Sequence, residues 1–289
     1  MTATVEQAYA ACVDITRREA GNFYYGIRLL PARKRAALCA VYALARRIDD
    51  IGDGDLPVDR KIAGLAEVRA SVRALTAGWD GGDPVLAAVA DAAGRHPIPL
   101  EAFEEIIDGA EMDVAGRRYD TFAELVQYCR CVAGSVGRLC LGVFGHRDDP
   151  GAPVFADALG IGLQQTNVLR DIREDLGNGR VYLPAEDLAR FGVELRLDEQ
   201  GRLADPDGGL AALIRYGVER SRAWYAEGGR LVPLLDRRSA ACTVAMAGIY
   251  RELGERIGAR PALVYGQRLS LPGREKAAVA VRALLGREP

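Results

Sequence analysis

The stretch R-R-I-D-D-I-G-D, residues 46–53, places the tightest demand on any fold this chain can adopt. Upstream of it Leu38, Tyr42 and Ala45 recur at helical spacing, the mark of a helix face turned to a core. Asp49 falls on that stripe and Asp53 follows one turn later, so two carboxylates share a face that should be apolar. An unpaired buried carboxylate costs on the order of several kcal/mol, so a counter-charge has to be supplied. A metal ion meets that demand. A solvated helix end, with Asp50 and Asp55 facing water, is the plainer alternative.

A second acidic column weighs toward the metal, although a solvated face would read similarly. In L-Q-Q-T-N-V-L-R-D-I-R-E-D-L the residues Gln164, Asn167, Asp171 and Asp175 are spaced three, four and four apart, on a helix otherwise built of Leu, Ile and Val. The preceding A-L-G-I-G-L marks this helix as buried. Magnesium binds through one or two carboxylates per ion, keeps several waters and takes further ligands from substrate phosphates. Two carboxylate helices are therefore a device for binding a diphosphate. Arg46 precedes Asp49 by one turn, Arg170 adjoins Asp171 and Arg180 follows in the loop. Guanidinium groups clamp phosphate oxygens and stabilise a departing diphosphate, although an ordinary i,i+4 pair of Arg170 with Glu174 would explain that arginine equally well.

The rest of the chain reads as helix. Amphipathic segments are expected over 4–19, from Pro31 to about 50, 58–77, 84–93, from Pro99 to about 114, 122–144, 153–176, a short piece after Pro184, 210–234 and 238–258, with a final segment from Pro261 that ends helically. Thr121 and Glu124 form a capping-box pattern ahead of the nearly uncharged 122–144 helix, which belongs at the centre. The W-D-G-G-D-P segment marks a turn, and Gly52 and Gly54 beside the first acidic column read as the hinge of a closing loop. No alternating strand pattern and no solenoid-period repeat is visible, so residues 1–289 are expected to form one all-helical domain with a central apolar cavity. Gly134, Ser135 and Gly137 interrupt the central helix, either for close helix packing or to leave room for an isoprenoid chain. Such a cavity suits allylic cation chemistry because water would quench the cation. Tyr42 and Tyr128 belong beside it, where an aromatic face stabilises a cation and a phenol takes part in proton transfer; plain packing is the ordinary use of such residues.

Composition removes several other classes. Lys and Arg number 38 against 40 Asp and Glu, which leaves no net basic field for nucleic acid. Two histidines far apart, His96 and His146, do not make a zinc site. Six cysteines without a C-x-x-C pair suit buried thiols in a reducing cytoplasm. With no run of about twenty apolar residues, the expected location is the cytoplasm, with peripheral bilayer contact at the cavity mouth because the product would be greasy.

The motifs N-F-Y-Y-G-I-R-L-L-P, A-V-Y-A-L-A-R-R-I-D-D-I-G-D, Y-C-R-C-V-A-G-S-V-G and Q-Q-T-N-V-L-R-D-I-R-E-D-L-G-N-G-R-V-Y-L-P together resemble the squalene and phytoene synthase family, the head-to-head prenyl synthases. The resemblance implies an isoprenoid synthase helical bundle with magnesium bridging two acidic motifs to diphosphates. It implies Asp49, Asp53, Asp171 and Asp175 as metal ligands, assisted by Asn167 and Gln164. It implies Arg46, Arg170, Arg180 and Arg268 as diphosphate ligands, Tyr42, Tyr128 and Tyr250 at the reaction centre, and Phe23 against the prenyl chain. The wording of the first two motifs is most similar to bacterial presqualene diphosphate synthases of hopanoid biosynthesis. That likeness implies condensation of two farnesyl diphosphates to presqualene diphosphate, with any downstream reductase a separate protein. Phytoene synthesis from two geranylgeranyl diphosphates is the nearest alternative, and a non-catalytic assembly or binding protein on the same scaffold is an alternative of another class.

Overall fold

The computed structural model describes residues 4–76 and 82–286, and those residues contain helices and no strand. The first half of the expected turn at W-D-G-G-D-P, residues 79–81, lies outside them. In chain order the helices are α1 (Val5–Glu19), α2 (Phe23–Ile27), α3 (Ala32–Asp53), α4 (Val58–Thr76), α5 (Pro84–Arg95), α6 (Ala102–Val114), α7 (Phe122–Cys129), α8 (Ser135–Phe144), α9 (Ala152–Gly177), α10 (Ala185–Arg190), α11 (Gly209–Gly229), α12 (Arg237–Ala259) and α13 (Gly273–Leu284). Helices α3, α6, α8 and α9 pack around the centre, with α11 and α12 closing the far side of α9.

Local chemistry sets the helix starts. Thr4 and Gln7 form a capping box on α1, and Thr121 and Glu124 form the expected one on α7. Asp83 and Asp236 cap α5 and α12 by accepting from backbone N–H groups of the first turn. Gly145, at φ +64°, ends α8 in a conformation open to glycine. The core is aliphatic, with Leu44, Ile48, Leu65, Ile106, Ile107 and Leu139 fully buried along the α3–α6–α8 side. Each such side chain stabilises the fold by roughly 1.5–3 kcal/mol relative to exposure. The cysteines are free thiols, buried at 12, 39, 129, 131 and 242 and half-buried at 140.

Three expectations are corrected. The 122–144 helix is not continuous: α7 passes through a π-helical turn, Arg130–Gly134, before α8 resumes. That widened turn faces α9, where the backbones nearly touch; a Cβ on Gly160 would lie 2.2 Å from the Ala133 carbonyl oxygen, and one on Gly137 2.4 Å from that of Ala156. The glycines here serve close helix packing. Second, α3 runs on through Asp53, so Gly52 is no loop hinge: it is buried inside the helix, with its missing Cβ position 3.5 Å from Ala110 of α6. Third, α6 starts at Ala102 after a turn at Pro99, and the 210–234 segment divides into α11 and a 3₁₀ turn at Val232–Leu234.

Candidate active site

The long helices α3 and α9 present their acidic columns to one cleft of about 590 Å³. Every metal, diphosphate and reaction-centre residue implied by the resemblance lines it: Phe23, Tyr42, Arg46, Asp49, Asp53, Tyr128, Gln164, Asn167, Arg170, Asp171, Asp175, Arg180, Tyr250 and Arg268. The floor opens into an apolar cavity of about 250 Å³ walled by Leu38, Val41, Val136, Phe144, Leu163 and Met246, among others. Phe23, Tyr42, Arg46, Asp49, Gln164 and Asn167 line both spaces, so the polar mouth and apolar interior are continuous.

The carboxylates divide by partner. Arg180 Nη1 donates to Asp53 Oδ1 at 2.7 Å, tying the loop after α9 to the end of α3. Asp171 accepts from Arg170 Nε at 2.8 Å and from Arg268 Nε at 3.0 Å. Arg170 thus turns to Asp171 and not to Glu174, and it is only 6% exposed. Arg46 reaches one turn forward along its own helix to the exposed Asp50 at 2.6 Å, which gives Asp50 a partner, while the Arg46 Nε is buried without one.

Among the described residues, Asp49 and Asp175 make no ion pair, and their carboxyls respond. Enclosure by the cleft, and secondarily the Asp53 charge, push Asp49 up to about 7. Enclosure, and secondarily Asp171, push Asp175 up to about 7. Asp49 still has an exposed side-chain surface although protein surrounds it on most sides. Water reaches it through the cleft mouth, so the upward direction stands and part of the effect is screened. Asn167 donates from Nδ2 to Gln164 Oε1 at 3.2 Å, leaving its own Oδ1 buried and unpartnered.

Two unpaired carboxylates and an orphaned amide oxygen form a hard-oxygen donor set suited to magnesium. No group of three or more His, Cys, Asp or Glu among the described residues gathers closely enough to hold a metal ion by itself. The set is therefore half a coordination sphere on each helix, which fits an ion that takes further ligands from elsewhere.

The structure adds residues the sequence reading missed. Asp113 of α6 accepts from Tyr128 Oη at 2.9 Å and from Tyr182 Oη at 2.7 Å, and the two rings stack with centroids 5.1 Å apart. Burial raises Asp113 and holds both phenols well above their ordinary value. The signal was present: Asp113 continues the Ile106–Ala110 stripe, an acid on an apolar face like Asp49. Lys276 of α13 also lines the cleft, its ammonium lowered by burial and then by Arg170; no pattern in the sequence pointed to it. Phe23 and Tyr250 stack at 5.4 Å where the cleft meets the cavity.

An all-helical bundle with facing acidic helices above an apolar cavity defines the isoprenoid synthase class. Comparison with known proteins narrows it. The squalene/phytoene synthase family model matches residues 16–275. A phytoene synthase of Mycobacterium tuberculosis is 54% identical over 280 residues, covering 97% of this chain and 91% of that protein. A presqualene diphosphate synthase of Rhodopseudomonas palustris is 36% identical over 240 residues, covering 83% of this chain and 84% of that protein. The crystal structure of a dehydrosqualene synthase superposes with a TM-score of 0.84 at 28% identity, covering 96% of each chain. The chain belongs to the squalene/phytoene synthase family, the head-to-head prenyl synthases.

Proposed function

We infer that this protein condenses two geranylgeranyl diphosphates head to head to give phytoene, by way of a cyclopropyl diphosphate. The observation that supports the chemistry is the continuity of the carboxylate- and arginine-lined mouth with the apolar cavity. The twenty-carbon substrate is favoured over the farnesyl diphosphate suggested by the N-terminal motifs because the relative at 54% identity is a phytoene synthase and the presqualene diphosphate synthase stands at 36%. A silent scaffold is disfavoured, since the chain keeps both its acidic columns and its arginines.

In this reading Asp49, Asp53, Asp171, Asp175 and Asn167 would hold magnesium, which when bound supplies charge neutralisation to the diphosphate. Arg46, Arg170, Arg180, Arg268 and Lys276 bind the phosphate oxygens. Arg180 and Arg268 exchange their carboxylate partners for the substrate, and a partner swap of this kind keeps those two guanidinium groups paired before loading. Phe23, Tyr42 and Tyr250 turn aromatic faces to the allylic cation at the junction of mouth and cavity. The apolar walls exclude water while the double bond of the second substrate attacks. Tyr128 keeps its proton, because its hydroxyl is buried and already donates to Asp113. The proton lost on ring closure therefore passes to the released diphosphate, and Tyr128 with Tyr182 shapes the wall around it.

The test is incubation with equimolar geranylgeranyl and farnesyl diphosphate, with and without NADPH, followed by mass spectrometry. A forty-carbon hydrocarbon formed without NADPH is the expected product. Presqualene diphosphate as main product would return the assignment to the farnesyl substrate, and no magnesium-dependent diphosphate release would favour the silent scaffold.

A further inference from the structure

A second concave site lies on the other flank of α3, outside the cleft. It is a groove of about 560 Å³ between α1, α2 and the first turns of α3, lined by Val13, Arg17, Tyr24, Arg28, Arg35 and Cys39 with Ala32 and Ala36. Cys39 at its base is fully buried. On the helical wheel the centre of the Arg35, Ala36 and Cys39 face lies about 100° round α3 from the centre of the Leu38, Tyr42, Ala45 and Asp49 face, with Arg35 at the edge nearest Tyr42. Helix α2 is the wall between the two spaces: Phe23 lines the prenyl cavity and Tyr24 lines the groove.

Several arginines of this protein are held by carboxylates, as are Arg47 by Asp83, Arg69 by Asp108, Arg138 by Asp157 and Arg220 by Asp187. Those of the groove are not, and three of them converge on one concavity. Among the described residues, Arg17, Arg28 and Arg35 have no carboxylate within ion-pair distance; Arg17 donates to the neutral Tyr24 hydroxyl at 2.9 Å and Arg28 lies 5.9 Å from the Tyr24 ring centroid. Residues 17–35 carry six cationic side chains and one anionic one, in a chain whose formal net charge is −2. Three unpaired guanidinium groups around an apolar floor match an amphiphile with a phosphate head and a hydrocarbon body.

We propose that the Arg17–Arg28–Arg35 groove docks the phosphate headgroup of an anionic phospholipid, seating the protein on a bilayer surface through the α1–α2–α3 corner. Guanidinium forks hold the phosphate, and the first methylenes of the lipid lie on Val13, Ala32 and Ala36. Such docking brings α2, and with it the cavity wall, against the membrane. The groove contains none of the diphosphate ligands, so its occupancy does not depend on which prenyl chain the enzyme uses.

The full-length protein, without substrate, is floated with vesicles of pure phosphatidylcholine and with vesicles containing phosphatidylglycerol. Binding is expected only to the anionic vesicles. The triple variant Arg17→Gln/Arg28→Gln/Arg35→Gln should bind them about a hundredfold more weakly, since each arginine near an anionic surface contributes a factor of roughly five. A control that removes three exposed arginines elsewhere, Arg60→Gln/Arg202→Gln/Arg237→Gln, should retain binding, and the groove variant should keep wild-type turnover on detergent-dispersed substrate. Equal loss in both triple variants would mean net charge alone and would overturn the assignment. Absence of wild-type binding to anionic vesicles, or release from them by submillimolar pyrophosphate, would overturn it as well, the latter by reassigning the groove to a free anion.

Discussion

The acidic pairs on α3 and α9 look alike in sequence, and the structure treats their members differently. On each helix one carboxylate is clamped by arginine and one is left without a cation: Asp53 and Asp171 are clamped, Asp49 and Asp175 are bare. The clamp on Asp53 comes from the far side of the cleft, through Arg180, whereas Asp171 is held by its own neighbour Arg170 and by Arg268. The clamped positions thus mark where arginines rest before they turn to a diphosphate. The bare positions mark where the cleft is short of positive charge, and there alone the carboxyls are pushed up to about 7.

Breaking both helices at once gives the largest effect. Asp49→Ala combined with Asp171→Ala should lower turnover at saturating magnesium by at least about a thousandfold, on the order of 4 kcal/mol of transition-state stabilisation. Normal turnover in steady-state kinetics would remove both columns from the chemistry. Asp113→Asn is a smaller perturbation, because it leaves the two columns intact and weakens only the acceptor shared by Tyr128 and Tyr182. A fall in kcat of roughly tenfold with little change in KM is expected, as for one charge-assisted hydrogen bond; a changed KM with unchanged kcat would place Asp113 in substrate binding.

The smallest effect separates bare from clamped carboxylates by stability alone. A carboxyl raised in the folded state binds its proton more tightly there than in the unfolded chain. Its contribution is whole below the ordinary carboxylate range and is lost as pH rises toward about 7. In metal-free buffer Asp49→Asn and Asp175→Asn should therefore melt about 2 °C or more above the wild type at pH 8, with the gap narrowing as pH falls and closing only near the ordinary carboxyl value of 3.8. Asp171→Asn, which strands the buried Arg170, should melt lower at pH 8. Equal shifts for all three in thermal scans would dissolve the distinction.

Much of this was legible from residue spacing. Helical period and the absence of strand alternation point to the all-helical class, and an acid on an apolar stripe identifies Asp49 and Asp171 without any coordinates. Asp113 carries the same mark, but spacing along its own helix does not say which cleft that helix faces. Contacts between distant segments were not legible. Nothing local to Arg180 or Arg268 says which carboxylate each will meet, and Lys276 enters the cleft only because α13 folds back across α12. The π turn at Arg130–Gly134 was hidden for a related reason: its cause is the approach of Gly160 on another helix, while its own sequence reads as plain helix. Gly52 shows the converse error, since a glycine beside acids suggests a hinge until Ala110 is seen packed against it.

The central claim is that the two bare carboxylates create the cleft's need for a cation that arrives with diphosphate. It is tested most directly by calorimetric titration of an unreactive geranylgeranyl thiodiphosphate, with and without magnesium, into the wild type and into Asp49→Asn/Asp175→Asn. Magnesium should tighten binding to the wild type by about a hundredfold, roughly 2.7 kcal/mol, and to the double variant by less than about threefold. Equal tightening in both proteins would contradict the claim.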